Sequence, residues 1–275
     1  VSDPVPLGES PVEEEEVKRK TILVVDDNAE LRNFIKGELQ KNFQVDVAKN
    51  GSEGLSIAQK LLPDLIVTDV MMPEMDGYEF CEKVKSDLKT SHIPLIMLTA
   101  KSSSEDHFMA IDKGADVYLP KPFDISLLKV QIKQLLKSRQ IMFEKYLKGV
   151  SDLENINDAT AVDRDFMHTI LDYIREHMSD PTLSVESVAE NVSLSRSQLY
   201  RKVKALTGSN VNEFIRRIRL EQARKLINQG HSNVNEVSHK VGFSSASYFT
   251  KCYKQHFGIL PTDEKKSEQP QEGSL

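Results

Sequence analysis

Between residues 21 and 137 the apolar positions collect into five short runs, near 21–25, 44–48, 64–68, 94–99 and 117–119. Short apolar runs bounded by turn formers predict strands, and the stretches between them, with apolar residues every three or four positions, predict helices. Five such units in alternation predict an α/β domain with a doubly wound, five-stranded parallel sheet. In the helix after the fifth strand, Ile125, Leu128, Ile132, Leu135 and Leu136 form one apolar stripe that is expected to pack on the sheet.

From about residue 163 onward every segment reads as helical, and the pattern nearly repeats. Val188, Val192 and Leu194 recur 49 residues later as Val237, Val241 and Phe243, and Leu199, Arg201, Lys204 and Gly208 recur at a spacing of 50 as Phe249, Lys251, Lys254 and Gly258. Each unit is a short helix, a tight turn and a second helix, opening at Ser195 in the first unit and at Ser244 in the second: a tandem helix-turn-helix pattern. Helical geometry buries Leu199, Val203 and Leu206 in unit one and leaves Ser197, Arg201 and Lys204 outside, flanked by Gln198 and Tyr200. In unit two it buries Phe249, Tyr253 and His256 and exposes Ser247, Thr250, Lys251 and Lys254. Between the units, "VNEFIRRIRLEQARKLIN" predicts a helix of about 18 residues, about 27 Å long, approaching the roughly 34 Å between successive major-groove faces of a duplex. Arg216, Arg217 and Arg219 lie along it, open to phosphate contact or to a solvated charged face.

The remaining segments are polar. Residues 1–20 carry Pro and a four-Glu run and read as a flexible acidic leader. Residues 138–162 read as a connector, helical through "QIMFEKYL", and 262–275 as a disordered tail. The expected domains are therefore 21–137 and 163–261.

Charge separates the two halves. Residues 21–137 hold 14 Lys and Arg against 18 Asp and Glu, a net of −4, whereas residues 181–258 hold 12 against 5, a net of +7. A basic helical half suggests a polyanionic partner. Cys81 and Cys252 imply no disulfide framework and read as thiols packed in helices, which suits a reducing cytoplasm. No apolar run approaches the roughly 20 residues that span a bilayer, and no signal peptide is expected before the first strand. The chain opens on Val1, which suits a fragment of a longer protein. It carries no glycine-rich phosphate loop and no zinc-ligand spacing.

The candidate chemistry sits at strand ends. Asp26 and Asp27 close the first strand, Asp69 the third, Thr99 the fourth and Lys121 the fifth. In a parallel sheet those positions converge on one crevice. Three carboxylates offer hard oxygen ligands to Mg²⁺, one of them can attack phosphorus to give an acyl phosphate, and the Lys121 ammonium and Thr99 hydroxyl suit equatorial phosphoryl oxygens. Taken singly, Asp26, Asp76 or Asp124 reads equally as a helix cap, and Tyr118 as a core residue.

On these residues, 21–137 resembles a response-regulator receiver domain of the flavodoxin-like class. The resemblance implies Asp69 as phosphoacceptor, Asp26 and Asp27 as the metal-binding acid pair, Met71 as a metal ligand through its backbone carbonyl, Thr99 and Tyr118 as the switch pair and Lys121 as the phosphate-contacting lysine, with Lys121-Pro122 a cis bond. The strings "LSRSQLYRKVKALTG", "NEFIRRIRLEQARKLI" and "VGFSSASYFTKCYKQHFGILP" make residues 165–261 resemble an AraC-type DNA-binding domain. That likeness implies base reading by Ser197, Tyr200 and Arg201 in unit one and by Ser247, Thr250 and Lys251 in unit two. Arg201 suits a guanine, and Lys204 and Lys254 suit phosphates. Two departures stand out: the first turn has Ser193 where the second has Gly242, predicting a less sharp bend, and "TDEKKSEQ" after Pro261 lacks the family's aromatic and basic pair, predicting a weak terminal cap.

The implied whole is a transcription factor switched by phosphorylation of Asp69, with Mg²⁺ as cofactor, double-stranded DNA as target and activation through a homodimer. A histidine kinase, separate or on the same polypeptide, would be the donor. Nothing resembles the sugar-binding barrel that often precedes such a DNA-binding domain. Two alternatives stay open: a DNA-binding regulator whose receiver is a phosphate-insensitive dimer module, and a Mg²⁺-dependent phosphatase of small molecules.

Overall fold

In the computed structural model the five apolar runs form β1 (Thr21–Val25), β2 (Gln44–Ala48), β3 (Leu65–Asp69), β4 (Leu95–Thr99) and β5 (Val117–Pro120). All neighbours pair in parallel, in the order β2-β1-β3-β4-β5. The structure describes residues 19–100, 114–148, 160–231 and 233–264, of which 138–148 are described as helical backbone. The helix expected between β4 and β5 lies outside the described residues, as do 1–18 of the leader, 149–159 of the connector and 265–275 of the tail. The helices of this half are α1 (Ala29–Leu39), α2 (Gly51–Leu61), α3 (Gly77–Ser86) and α4 (Ile125–Lys148). α4 continues into the segment read as a connector.

Strand periodicity sorts the side chains into two cores. Ile22, Val24, Val67, Ile96 and Leu98 face α1 and α4, meeting Ile35, Leu39, Leu128 and Ile132, with Ile125, Leu135 and Leu136 packed at the margin. Leu23, Val25, Ile66, Leu95 and Met97 face the other way, onto Ala58, Phe80, Cys81 and Val84 of α2 and α3. Because both faces are covered, β3 and β4 are buried along their whole length. Each fully buried Leu or Ile contributes about 1.5–3 kcal/mol relative to an exposed one. Asn28, Asn50 and Asp76 cap α1, α2 and α3 through their side-chain oxygens. Asp64, read as the first residue of the third strand, instead accepts from Lys20 Nζ at 2.6 Å and Thr21 N at 2.8 Å, and β3 starts one residue later.

The chain divides into two compact units: the sheet-bearing one runs to Met167 and also takes in Ala205–Gly208, and the helical one comprises His168–Lys204 and the residues from Ser209 onward. The division falls within α5 (Ala161–Glu176). Then come α6 (Val185–Asn191), α7 (Arg196–Thr207), α8 (Val211–Asn228), α9 (Val234–Lys240) and α10 (Ala246–Phe257). The predicted pairs are α6–α7 and α9–α10, joined by the predicted 18-residue α8. Leu220, Ala223 and Ile227 of α8 pack with Val237, Val241, Phe243, Phe249, Cys252 and Tyr253.

Five expectations for this half need correction. The N-cap of α10 is Ser245, whose hydroxyl accepts from Tyr248 N, so the second helix opens one residue later than Ser244. His256 lies at the surface, 3.4 Å from Glu221 Oε1, and Cys252 takes the buried place. Arg219 is neither solvated nor available to phosphate: it is buried, and its Nη2 donates to Asp180 O at 2.9 Å. The first turn is bent like the second, with Ser193 at φ 54° and Gly242 at φ 79°. The terminal cap is firm. Glu264, in the segment read as tail, is buried, accepting from Arg224 Nε at 2.6 Å and from the Tyr253 hydroxyl at 2.8 Å. Burial and that carboxylate push the Tyr253 phenol far above its ordinary range.

The two turns differ in what a side chain costs. A Cβ on Gly242 would lie 2.1 Å from Met178 O and 2.7 Å from Arg219 Nη2, so that position is closed by sterics as well as by φ. Ser193 is exposed and carries only the backbone strain. Gly242→Ala is expected to cost more than about 2 kcal/mol. Ser193→Gly should be neutral or stabilising by up to about 1 kcal/mol. Urea unfolding of the two variants measures both.

Candidate functional site

β1 and β3 are neighbours where the strand order reverses, and the loops leaving them part to opposite faces, opening a crevice at the carboxyl edge of the sheet. Asp26 and Asp27 leave β1 there, Asp69 ends β3, Thr99 ends β4 and Lys121 follows β5. Carboxylate oxygens of Asp26, Asp27 and Asp69 lie within 4.8 Å of one another. Lys121 Nζ sits 3.0 Å from Asp69 Oδ1 and 3.2 Å from Asp26 Oδ2. Thr99 is buried on the strand beside Asp69, one residue beyond the Asp69–Leu98 pair. Tyr118 lies half-buried in β5 against the core shared by α2 and α3. Met71 is exposed in the loop after β3, and the Lys121-Pro122 bond is cis.

Each carboxylate is held differently. Asp26 is fully buried; its Oδ1 accepts from Asn28 N at 2.8 Å and its Oδ2 from Lys121. Asp27 is exposed. Asp69 accepts from Val70 N at 2.8 Å and from Lys121. Burial pushes the Asp69 carboxyl above its ordinary range, against the pull of Lys121 and with a further push from Asp26. Among the described residues, three carboxylates with one ammonium therefore leave excess negative charge in a partly dehydrated cleft. An all-oxygen, under-neutralised donor set of this kind fits a hard divalent cation such as Mg²⁺. Asp76 and Asp124 are not in this cluster: Asp76 caps α3, and Asp124 accepts from Ser126 N at the start of α4.

Two contributors escaped the sequence reading. A Cβ on Gly77 would fall 2.2 Å from Asp69 O, so only glycine lets the β3–α3 loop fold back onto the strand end, where Gly77 N donates to Val70 O. The other is Arg32 of α1, whose Nη1 donates to Asp26 O at 2.5 Å. Its sequence signal is a cation near a helix N-terminus, where the dipole disfavours one.

In the helical unit, Ser197, Arg201, Lys204, Ser247, Lys251 and Lys254 are exposed, as the helical geometry of the sequence predicts. The other three predicted contacts are partly committed elsewhere. The Gln198 side chain accepts from Ser195 N at 2.9 Å, closing the start of α7. Tyr200 OH accepts from Asn212 Nδ2 at 3.4 Å, and the Thr250 hydroxyl donates to Ala246 O at 2.8 Å. Arg196, not singled out by sequence, pairs with Glu186 Oε1 at 2.8 Å, with its guanidinium carbon 5.7 Å from the Tyr200 ring centre. Arg216 and Arg217 line a cleft between α8 and α10 with Glu213, Gln255 and His256.

Residues 22–133 match the family described as response regulator receiver domain, and residues 188–267 match a helix-turn-helix domain family. The chain is a response-regulator receiver domain followed by an AraC-type helix-turn-helix domain. Among curated relatives of this regulator, "Histidine kinase P4" of Formosa agariphila is 36% identical over 247 residues, covering 90% of this chain and 18% of that protein. "DNA-binding dual master transcriptional regulator RpaA" of Synechocystis is 36% identical over 117 residues, 42% of this chain and 48% of that one. The chain thus spans less than half the length of either. A crystal structure of a CheY-like receiver domain protein from Methanospirillum hungatei is 30% identical, covering 44% of this chain and 96% of that one, with a TM-score of 0.42. Among the described residues no helix is long and apolar enough to cross a membrane.

The raised Asp69 pKa carries a sign. A raised pKa means that the folded receiver binds the Asp69 proton more tightly than the unfolded chain, whose carboxyl titrates near about pH 4, so this group's contribution to stability falls as pH rises through the window between the two pKa values. Asp69→Asn should therefore melt higher than the unaltered regulator in metal-free buffer at neutral pH, by a few degrees, with the gap closing below about pH 4. Gly77→Ala is expected to destabilise the receiver by more than about 2 kcal/mol, because the atom it meets is backbone. Calorimetric melting against pH tests the first, and urea titration the second.

Proposed function

We propose that this response regulator is a phosphorylation-gated, DNA-binding transcription factor of a two-component system. What supports the reading most is one juxtaposition: three carboxylates within 4.8 Å and an ammonium 3.0 Å from Asp69, on the same chain as two helix-turn-helix units. An Asp69 carboxylate oxygen attacks the phosphorus of a phosphohistidine; the P–N bond breaks, the imidazole leaves with its electron pair, and an acyl phosphate remains. Lys121 neutralises the incoming charge. Asp26, Asp27, Asp69 and the Met71 carbonyl would hold a Mg²⁺ ion, which would supply further neutralisation of the phosphoryl oxygens. The Thr99 hydroxyl turns toward the acyl phosphate and the Tyr118 ring follows inward. This biases the receiver toward a state that pairs with a second copy and binds DNA.

On DNA, Arg201 takes a guanine edge, with Ser197, Tyr200, Ser247, Thr250 and Lys251 also facing bases and Lys204 and Lys254 on phosphates. Gln198 acts through the cap of α7. The similarity to Histidine kinase P4, which runs through both halves, favours a kinase on the same polypeptide, and the buried free thiols Cys81 and Cys252 suit a cytoplasmic site of action.

Selection of fragmented genomic DNA, with and without beryllium fluoride plus Mg²⁺ as a phosphoryl mimic, tests the proposal. Enrichment of the same sites should rise with the mimic and lose that gain in Asp69→Ala. Equal enrichment under all conditions would leave the receiver as a phosphate-insensitive dimer module. No enrichment at all would overturn DNA binding, and repeated turnover of small phosphoesters would point to a phosphatase.

A further inference from the structure

The acid pair lies in the short β1–α1 connection, and several bonds hold that connection in one shape. Asp26 N donates to Ala48 O at 3.2 Å, Asn28 N to Asp26 Oδ1 at 2.8 Å, and Asn28 Oδ1 accepts from Glu30 N and Leu31 N at 2.9 and 3.1 Å. The last set caps α1, whose first backbone bond runs from Arg32 N to Asn28 O at 2.9 Å. That leaves the outward carbonyls of the acid pair itself. Arg32 Nη1 approaches both, at 2.5 Å from Asp26 O and 3.4 Å from Asp27 O.

Arg32 is the fourth helical residue of α1, close to the positive end of the helix, where a cation is disfavoured. A residue that breaks a local rule while contacting a functional loop is expected to be kept for that contact. Its chemistry suits the place. A guanidinium that bonds to carbonyls adds positive charge beside three crowded carboxylates without occupying any of their oxygens, whereas Lys121 takes an oxygen from each of two. With its carbonyls turned to Arg32, the peptide plane that carries Asp27 has one orientation. Asp27 is exposed and otherwise lacks the buried packing that fixes Asp26.

We propose that Arg32 is a positioning residue of the acid pocket, a clamp on the Asp26 and Asp27 carbonyls that holds the Asp27 carboxylate where a divalent cation meets it. This rests on the reading of the pocket as a Mg²⁺ site. The role differs from that of a ligand, since Arg32 touches neither cation nor phosphoryl group, and it assigns to α1 a part in metal affinity.

The test is calorimetric titration of Mg²⁺ into the whole chain and its variants, paired with melting temperatures in EDTA. Arg32→Ala should raise the Kd for Mg²⁺ about tenfold, in the range for outer-shell partners of a metal site, while its melting temperature in EDTA stays within a few degrees of the unaltered chain. Arg32→Lys, able to reach one carbonyl, should fall between. Lys36→Ala, on the same helix away from the loop, should leave the Kd unchanged. In an Asp27→Asn background, adding Arg32→Ala should change the Kd little further, because the clamp acts through Asp27. An unchanged Kd in Arg32→Ala, a full additional loss on the Asp27→Asn background, or a loss that tracks a large fall in melting temperature would each overturn the clamp. If the unaltered chain and Asp27→Asn bind Mg²⁺ alike, the metal-site reading itself fails and takes the clamp with it.

Discussion

Like charges brought within 4.8 Å of each other repel, and this receiver gathers three carboxylates at the carboxyl edge of its sheet with, among the described residues, the Lys121 ammonium between two of them. Such a cluster persists only if the scaffold holds it there. Two buried faces of β1, β3 and β4 provide that rigidity, and the loops leaving them are pinned by a cap at Asn28, a close approach at Gly77 and the reach of Lys121 from β5. Burial is the main reason the Asp69 carboxyl sits above its ordinary range, and the neighbouring Asp26 charge adds a smaller push. On the proposed function, a divalent cation would supply the charge that this dehydrated carboxylate set lacks.

The helical half applies one unit twice, and its two copies are closed by different physics. The second turn uses glycine because Met178 O and the Arg219 guanidinium occupy the space of a side chain, while the first turn, open to solvent, accepts Ser193 at positive φ. Arg219 therefore belongs to the architecture: it ties α8 to the carbonyl of Asp180. At the other end Glu264 replaces apolar packing with a polar clamp on Arg224 and Tyr253. A buried carboxylate of this kind is tolerable because both partners donate to it.

Charge distribution joins the two halves in function. A basic set of exposed helix positions suits a polyanion whose binding releases counterions, so affinity for DNA would fall with salt. The acidic receiver would repel the same polyanion, so on the proposed function DNA contacts would be expected on the helical half. Lys204 and Lys254 recur at equivalent places in the two units, as phosphate contacts related by the repeat would.

Periodicity and the alternation of elements determined the five strands, their parallel doubly wound arrangement, the stripe on α4 and the doubled helix-turn-helix, because burial on one or two faces writes a period of two or of three to four into any chain that folds this way. The residue types at the strand ends determined the pocket as well, since a parallel sheet must bring those ends together. Three things needed the tertiary structure. Whether Arg219 or His256 is buried depends on which neighbour fills the space beside it, and helical spacing is nearly silent on that. The worth of Glu264 depends on Arg224 and Tyr253, which lie 40 and 11 residues from it in sequence but meet it in the fold. Arg32 and Gly77 act through backbone carbonyls, atoms every residue shares, so no side-chain pattern could point to the partners that only folding supplied.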